Sequence, residues 1–94
     1  MIDSVLEGLP GSEIFRRGID DLSEGVESEA ALLVSIGAPR LRRIGFKLPR
    51  TIPKPEDRLY AFLARSNPDS AHSRYNALIR RLVSFERAAE CGIR

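Results

Sequence analysis

An all-α fold, a compact bundle of about five or six helices, is what this sequence predicts, and three observations carry the expectation. The last third, AHSRYNALIRRLVSFERAAECG, sets Ala71, Tyr75, Leu78, Leu82, Phe85 and Ala89 on a 4-3-4-3-4 spacing. At the helical repeat those residues fall within about 40° of one line, an apolar stripe that needs another apolar surface to cover it. Gly and Pro positions cut the rest of the chain into helix-length pieces. Finally, the one segment that would suit a buried strand, LLVSI, has no second strand to pair with, and a lone strand leaves its backbone hydrogen bonds unmade.

The elements follow in order. Met1 to Leu9 places Ile2, Val5, Leu6 and Leu9 at i, i+3, i+4 and i+7, a short helix stopped by Pro10-Gly11. A second helix starts at Ser12 as N-cap, with Glu13 in its first turn, and Gly25 stops it. Its inner face is Phe15, Ile19, Leu22 and Val26, and its outer face carries Arg17, Asp20 and Glu24. Ser28 caps a third, apolar almost all round and therefore central. Gly37-Ala38-Pro39 is expected to break it, with Pro39 opening a short basic helix, RLRRIGF, that turns Leu41, Ile44 and Phe46 inward. The stretch 47–55 holds Pro49, Pro53 and Pro55 and reads as an ordered, extended connector. Pro55, Glu56 and Asp57 start the next helix, with Leu59, Phe62 and Leu63 buried. Asn67 as cap and Pro68 launch the long amphipathic C-terminal helix, the expected spine, which Gly92 ends.

Ninety-four residues make one domain, 1–94, of a size that buries roughly 60–65% of its unfolded surface. It is 43% apolar and 30% charged, without tryptophan, so the core must rest on Leu, Ile and Val. The longest apolar run, Ala30 to Val34, is far below the roughly 20 residues of a membrane span. The acidic start, MIDSVLEGLPGSE, lacks the pattern of a secretory signal, so a cytoplasmic protein is expected. Cys91 is the single cysteine, which excludes a disulfide framework within the chain.

Charge is segregated. Residues 1–37 hold eight acids and two arginines, a balance of −6; residues 38–54 hold six bases and no acid, +6; residues 55–94 hold seven arginines and five acids, +2. The acidic N-terminal helices can pack beside the basic segment and neutralise it, or the segment can stay free for an anionic partner. Arginine outnumbers lysine thirteen to two. A GC-rich, bacterial-like genome produces the same bias, so the ratio argues little.

No catalytic constellation emerges. His72 and Asn76 share one side of the final helix beside Tyr75, yet no nucleophile accompanies them. Cys91 lies nineteen residues beyond His72, about 28 Å along a continuous helix. A lone histidine and scattered carboxylates have no metal-ligand spacing, so neither metal nor cofactor is expected. Glu86 falls between the stripe and an apolar edge of Ile79 and Val83, where a carboxylate needs a partner; an arginine of the RLRR segment is the expected one. Ile79 and Val83 either complete the core or leave a patch for self-association. EAALLVSIGAPRLRRIGF has the outline of a helix-turn-helix, but its second helix is too short and Arg43 sits where an apolar anchor belongs.

The expected function is therefore that of a small non-catalytic helical module for protein interaction or regulation. Its surface is expected at Arg40, Arg42 and Arg43 together with His72, Asn76 and Arg80 at the polar start of the final helix. The partner is a protein or a second copy of the chain. The alternatives are nucleic-acid binding through the same arginines and the basic face of the last helix, or service as an accessory subunit of an enzyme.

Overall fold

Local closure signals set where each helix begins and ends. The computed structural model describes residues 11–93, with four helices there: α1 Ser12–Ser23, α2 Glu29–Ile44, α3 Pro55–Ser66 and α4 Ala71–Ile93, and no strand among the described residues. The helix expected over Met1 to Leu9 lies outside them. α1 starts behind Gly11 at φ 76°, and Ser12 is its first helical residue rather than its cap. At the other end the N–H groups of Gly25 and Val26 return to the carbonyls of Leu22 and Asp21 at 3.2 and 2.8 Å. This Schellman closure directs Val26 outward, 45% exposed, so it does not join the inner face. Ser28 caps α2 by accepting from the Ala31 N–H at 3.1 Å, and its own hydroxyl donates to Asp21 Oδ2 at 2.6 Å.

The expected break at Gly37-Ala38-Pro39 does not occur. α2 runs unbroken from Glu29 to Ile44 with Pro39 inside it, so the third and fourth expected helices are one. An interior proline costs a helix about 3 kcal/mol, and here tertiary packing on both sides of it offsets that cost. Ala38 and Leu41 are buried, and Arg40 is tied to α4. Gly37 is a contact rather than a stop: a Cβ there would lie 2.6 Å from Leu82 Cδ1. The true terminator is Gly45 at φ 124°, with Phe46 N–H returning to Leu41 O at 3.0 Å and both side chains buried.

Pro55 occupies the first turn of α3, with Glu56 and Asp57 beside it. Asn67 does not cap α4; it accepts the Asp69 N–H at 3.1 Å and makes a turn of its own. α4 therefore starts three residues after Pro68, and it continues past Gly92 to Ile93.

The centre of the molecule is α2, which touches all three other helices, so the spine is α2 and not the long final helix. Ala30 to Ser35 are all buried. Phe15 of α1 stacks on Phe85 of α4 with ring centroids 4.0 Å apart, and Phe46 closes the cluster at 6.0 Å from Phe85. Gly18 lets α1 press onto α2, since a Cβ there would stand 2.4 Å from the Ala30 carbonyl oxygen. Between α2 and α3 the extended connector packs Leu48 and Ile52 onto this core. Ile52 N–H donates to the buried Ser35 hydroxyl at 3.1 Å, and that hydroxyl donates to Ala31 O at 2.9 Å.

Candidate functional site

Glu86 is buried with its side chain 8% exposed, and Arg40 Nη1 stands 3.6 Å from its Oε1. The same guanidinium donates to Glu90 Oε2 at 2.9 Å. Glu86 and Glu90 are four apart on α4 and so share a face, and Arg40 bridges to both from α2. Burial pushes the Glu86 carboxyl above its ordinary value, while Arg40 and then Arg43 pull it back. The hydrogen bond to Glu90 pushes the Arg40 guanidinium up, burial opposing it. Arg40 thus ties the end of α2 to α4 while its side chain stays 36% exposed. Sequence reasoning singled out Glu86 but missed Glu90; its i+4 spacing from Glu86 was the available signal.

His72 and Asn76 are exposed neighbours, Asn76 Nδ2 standing 3.2 Å from His72 Nε2. Arg80, also exposed, donates from Nε to the Asn76 carbonyl at 3.4 Å. His72 and Asn76 do not adjoin the RLRR turn. α2 and α4 run in the same general direction: Glu29 meets Arg74 near their starts at 3.6 Å, and Arg40 meets Glu86 and Glu90 near their ends. Fourteen residues separate His72 from Glu86, about 21 Å along the helix. Of the six residues expected to form one surface, His72 and Asn76 therefore lie apart from Arg40, Arg42 and Arg43, with Arg80 between them along α4.

The end of α2 and the connector that follows carry a run of exposed cations. Arg42 and Arg43 are exposed at the end of α2, and Lys47, Arg50 and Lys54 are exposed on the connector that follows. Arg42 Nη2 donates to Pro49 O at 3.4 Å, which draws the connector beneath it. Among the described residues none of these five enters an ion pair; of the segment's bases only Arg40 does. Acids from the N-terminal half pair elsewhere, Glu27 with Arg58 at 2.8 Å and Glu29 with Arg74. The outer side of α4 adds exposed Arg80 and Arg87, also without an ion pair among the described residues.

An open cleft of about 620 Å³ lies where the starts of α1 and α2 meet α3 and α4. Glu13, Arg17, Glu29 and Arg81 line it together with Phe62 and Leu78. Its charges are of both signs, and the Ser28 hydroxyl on its wall is engaged with Asp21 and with the Ala31 N–H. Among the described residues no cluster of three His, Cys, Asp or Glu side chains could hold a metal ion. No helix among them is long and apolar enough to cross a membrane. Comparison with family models, with curated proteins and with solved structures finds no match to this chain.

Proposed function

We propose that the protein is a non-catalytic helical interaction module that engages an anionic partner surface through Arg42, Arg43 and the cations of the following connector. One observation carries this reading: five bases between Arg42 and Lys54 are exposed and lack an ion pair among the described residues. Among the described residues Glu27 and Glu29 are paired with Arg58 and Arg74, and Glu24 shares a cleft with Arg50 without an ion pair between them. An unneutralised block of like charge raises the local concentration of anions and speeds their association. Arginine at the helix end adds planar, bidentate donors suited to carboxylate or phosphate. Arg42 and Arg43 also complement the dipole at the end of α2, but that accounts for only about 0.3–1 kcal/mol each and leaves Lys47, Arg50 and Lys54 unexplained.

The test is a pull-down of the tagged full-length chain from native lysate, wild type beside Arg42→Glu/Arg43→Glu, with Arg65→Glu on α3 as control. The expected result is a partner retained by wild type and by the control and lost from the double variant. A wild-type chain that retains nothing sensitive to the double substitution removes the reading.

A further inference from the structure

We propose that the partner is a nucleic-acid duplex, held by its phosphodiester backbone against the outer face of α4 and the adjoining end of α2. The inference rests on the reading above and assigns its partner. α4 carries two acids among its described residues, Glu86 and Glu90, and both turn to Arg40. From Ala71 to Phe85 the helix carries bases and no acid, while the Glu90 side chain, although paired with Arg40, remains 44% exposed near its end. Ser73, Asn76, Ala77, Arg80, Ser84 and Arg87 form one exposed stripe opposite the buried Leu78, Leu82, Phe85 and Ala89. Arg80 and Arg87 are a heptad apart, on nearly one line and about 10.5 Å from each other. An ordinary solvated helix interleaves acids and bases at i and i+4; α4 holds no acid before Glu86. Arg40 reaches Glu86 and Glu90 from the end of α2, so the end that carries Arg42 and Arg43 adjoins the turn of α4 that carries Arg87.

Two further observations select the class of partner. A protein interface needs an apolar or aromatic anchor at its desolvated centre. The exposed large hydrophobic residues among those described are Val26, in the α1–α2 turn, and Tyr60 on α3, neither on this face. A surface that is polar and positive without an anchor has the composition of a protein–nucleic-acid contact. Single-strand binders add aromatic side chains on which bases stack, and none lies on the exposed side of α4. The remaining chemistry is duplex backbone, bound by charge and arginine donors without reading of sequence. The small side chains of Ser73, Ala77 and Ser84 allow the helix to approach closely between its arginines.

The test is fluorescence anisotropy of the full-length chain with a labelled mixed-sequence DNA duplex of about 20 base pairs, over about 50–200 mM salt. One strand of that duplex and polyglutamate serve as competitors. If Arg42, Arg43, the three connector cations, Arg80 and Arg87 each neutralise a phosphate, the log–log slope is about −6.3, a loss of about 6,000-fold across that range. Arg80→Ala/Arg87→Ala, at exposed positions where alanine favours helix, is expected to reduce the slope to about −4.5 with the circular-dichroism melt unchanged. A slope unmoved by that variant overturns the assignment of α4. Tighter binding of the single strand overturns the duplex. Polyglutamate competing as well as the duplex overturns nucleic acid and leaves an interaction module for acidic proteins. Binding of neither polyanion at the lowest salt removes both this inference and the reading beneath it.

Discussion

Glu86 shows how one buried side chain shapes the stability of the whole chain. Its carboxyl is held above the ordinary 4.5 chiefly by desolvation, with Arg40 and Arg43 opposing. A raised pKa in the folded state means the native protein binds that proton more tightly than the unfolded chain does. Stability from this group is therefore present at acid pH and is lost as pH rises from 4.5 through the raised value, the reverse of an ordinary salt-bridged carboxylate. Glu86→Gln should gain stability relative to wild type as urea melts move from pH 4 toward pH 7, because other carboxylates titrate alike in both. A difference independent of pH would show that Glu86 is not desolvated. Ser35 makes a second case at this scale. Its hydroxyl is the partner of the Ile52 N–H, and Ser35→Ala should cost about 1–2 kcal/mol in a thermal melt by orphaning that donor. Glu86 was legible in the sequence, because its helical angle put a charge beside an apolar stripe. Ser35 was not: a serine inside an apolar run gives no sign of a donor seventeen residues away.

At the scale of elements, glycine is the residue whose meaning depends most on its neighbours. Gly25 and Gly45 end helices with positive φ, and each is followed by the backbone bonds of a Schellman closure. Gly18 and Gly37 sit inside helices and admit a crossing helix. Sequence reasoning took Gly37 for a terminator, since glycine followed by proline breaks helices by local rules. Local rules do not include Leu82 from α4, which fills the space a Cβ would need. Gly18→Ala tests this element directly. The added Cβ would meet a backbone carbonyl, which cannot swing aside, so the substitution should destabilise by about 1–3 kcal/mol despite alanine's better helix propensity. A neutral or stabilising result in chemical denaturation would mean α1 does not press onto α2 at this crossing.

For the molecule as a whole, α2 at the centre distributes the core among three partners, and the phenylalanines Phe15, Phe46 and Phe85 link α1, the connector and α4. A chain of this length has little stability to spare. Leu82→Ala, emptying a site 4% exposed at the α2–α4 crossing, should cost about 2–5 kcal/mol and leave the domain largely unfolded at moderate temperature. A melt that shifts by only a degree or two would place α4 elsewhere.

The same scale separates what could be read from the chain from what could not. The helical class, the buried character of the α2 segment, the extended connector, the Ser28 cap and the stripe of α4 were all legible, because each is written in spacing and turn chemistry within a few residues. Which helix is central, that Pro39 lies within a helix, and which arginine is consumed were decided only by tertiary structure. Arg40, Arg42 and Arg43 look alike in sequence. They differ because Glu86 and Glu90, nearly fifty residues later, reach only the first of them by direct contact. The charge asymmetry was visible in the chain from the outset; whether it is cancelled depends on which acids the fold brings within about 4 Å, the range over which an ion pair forms.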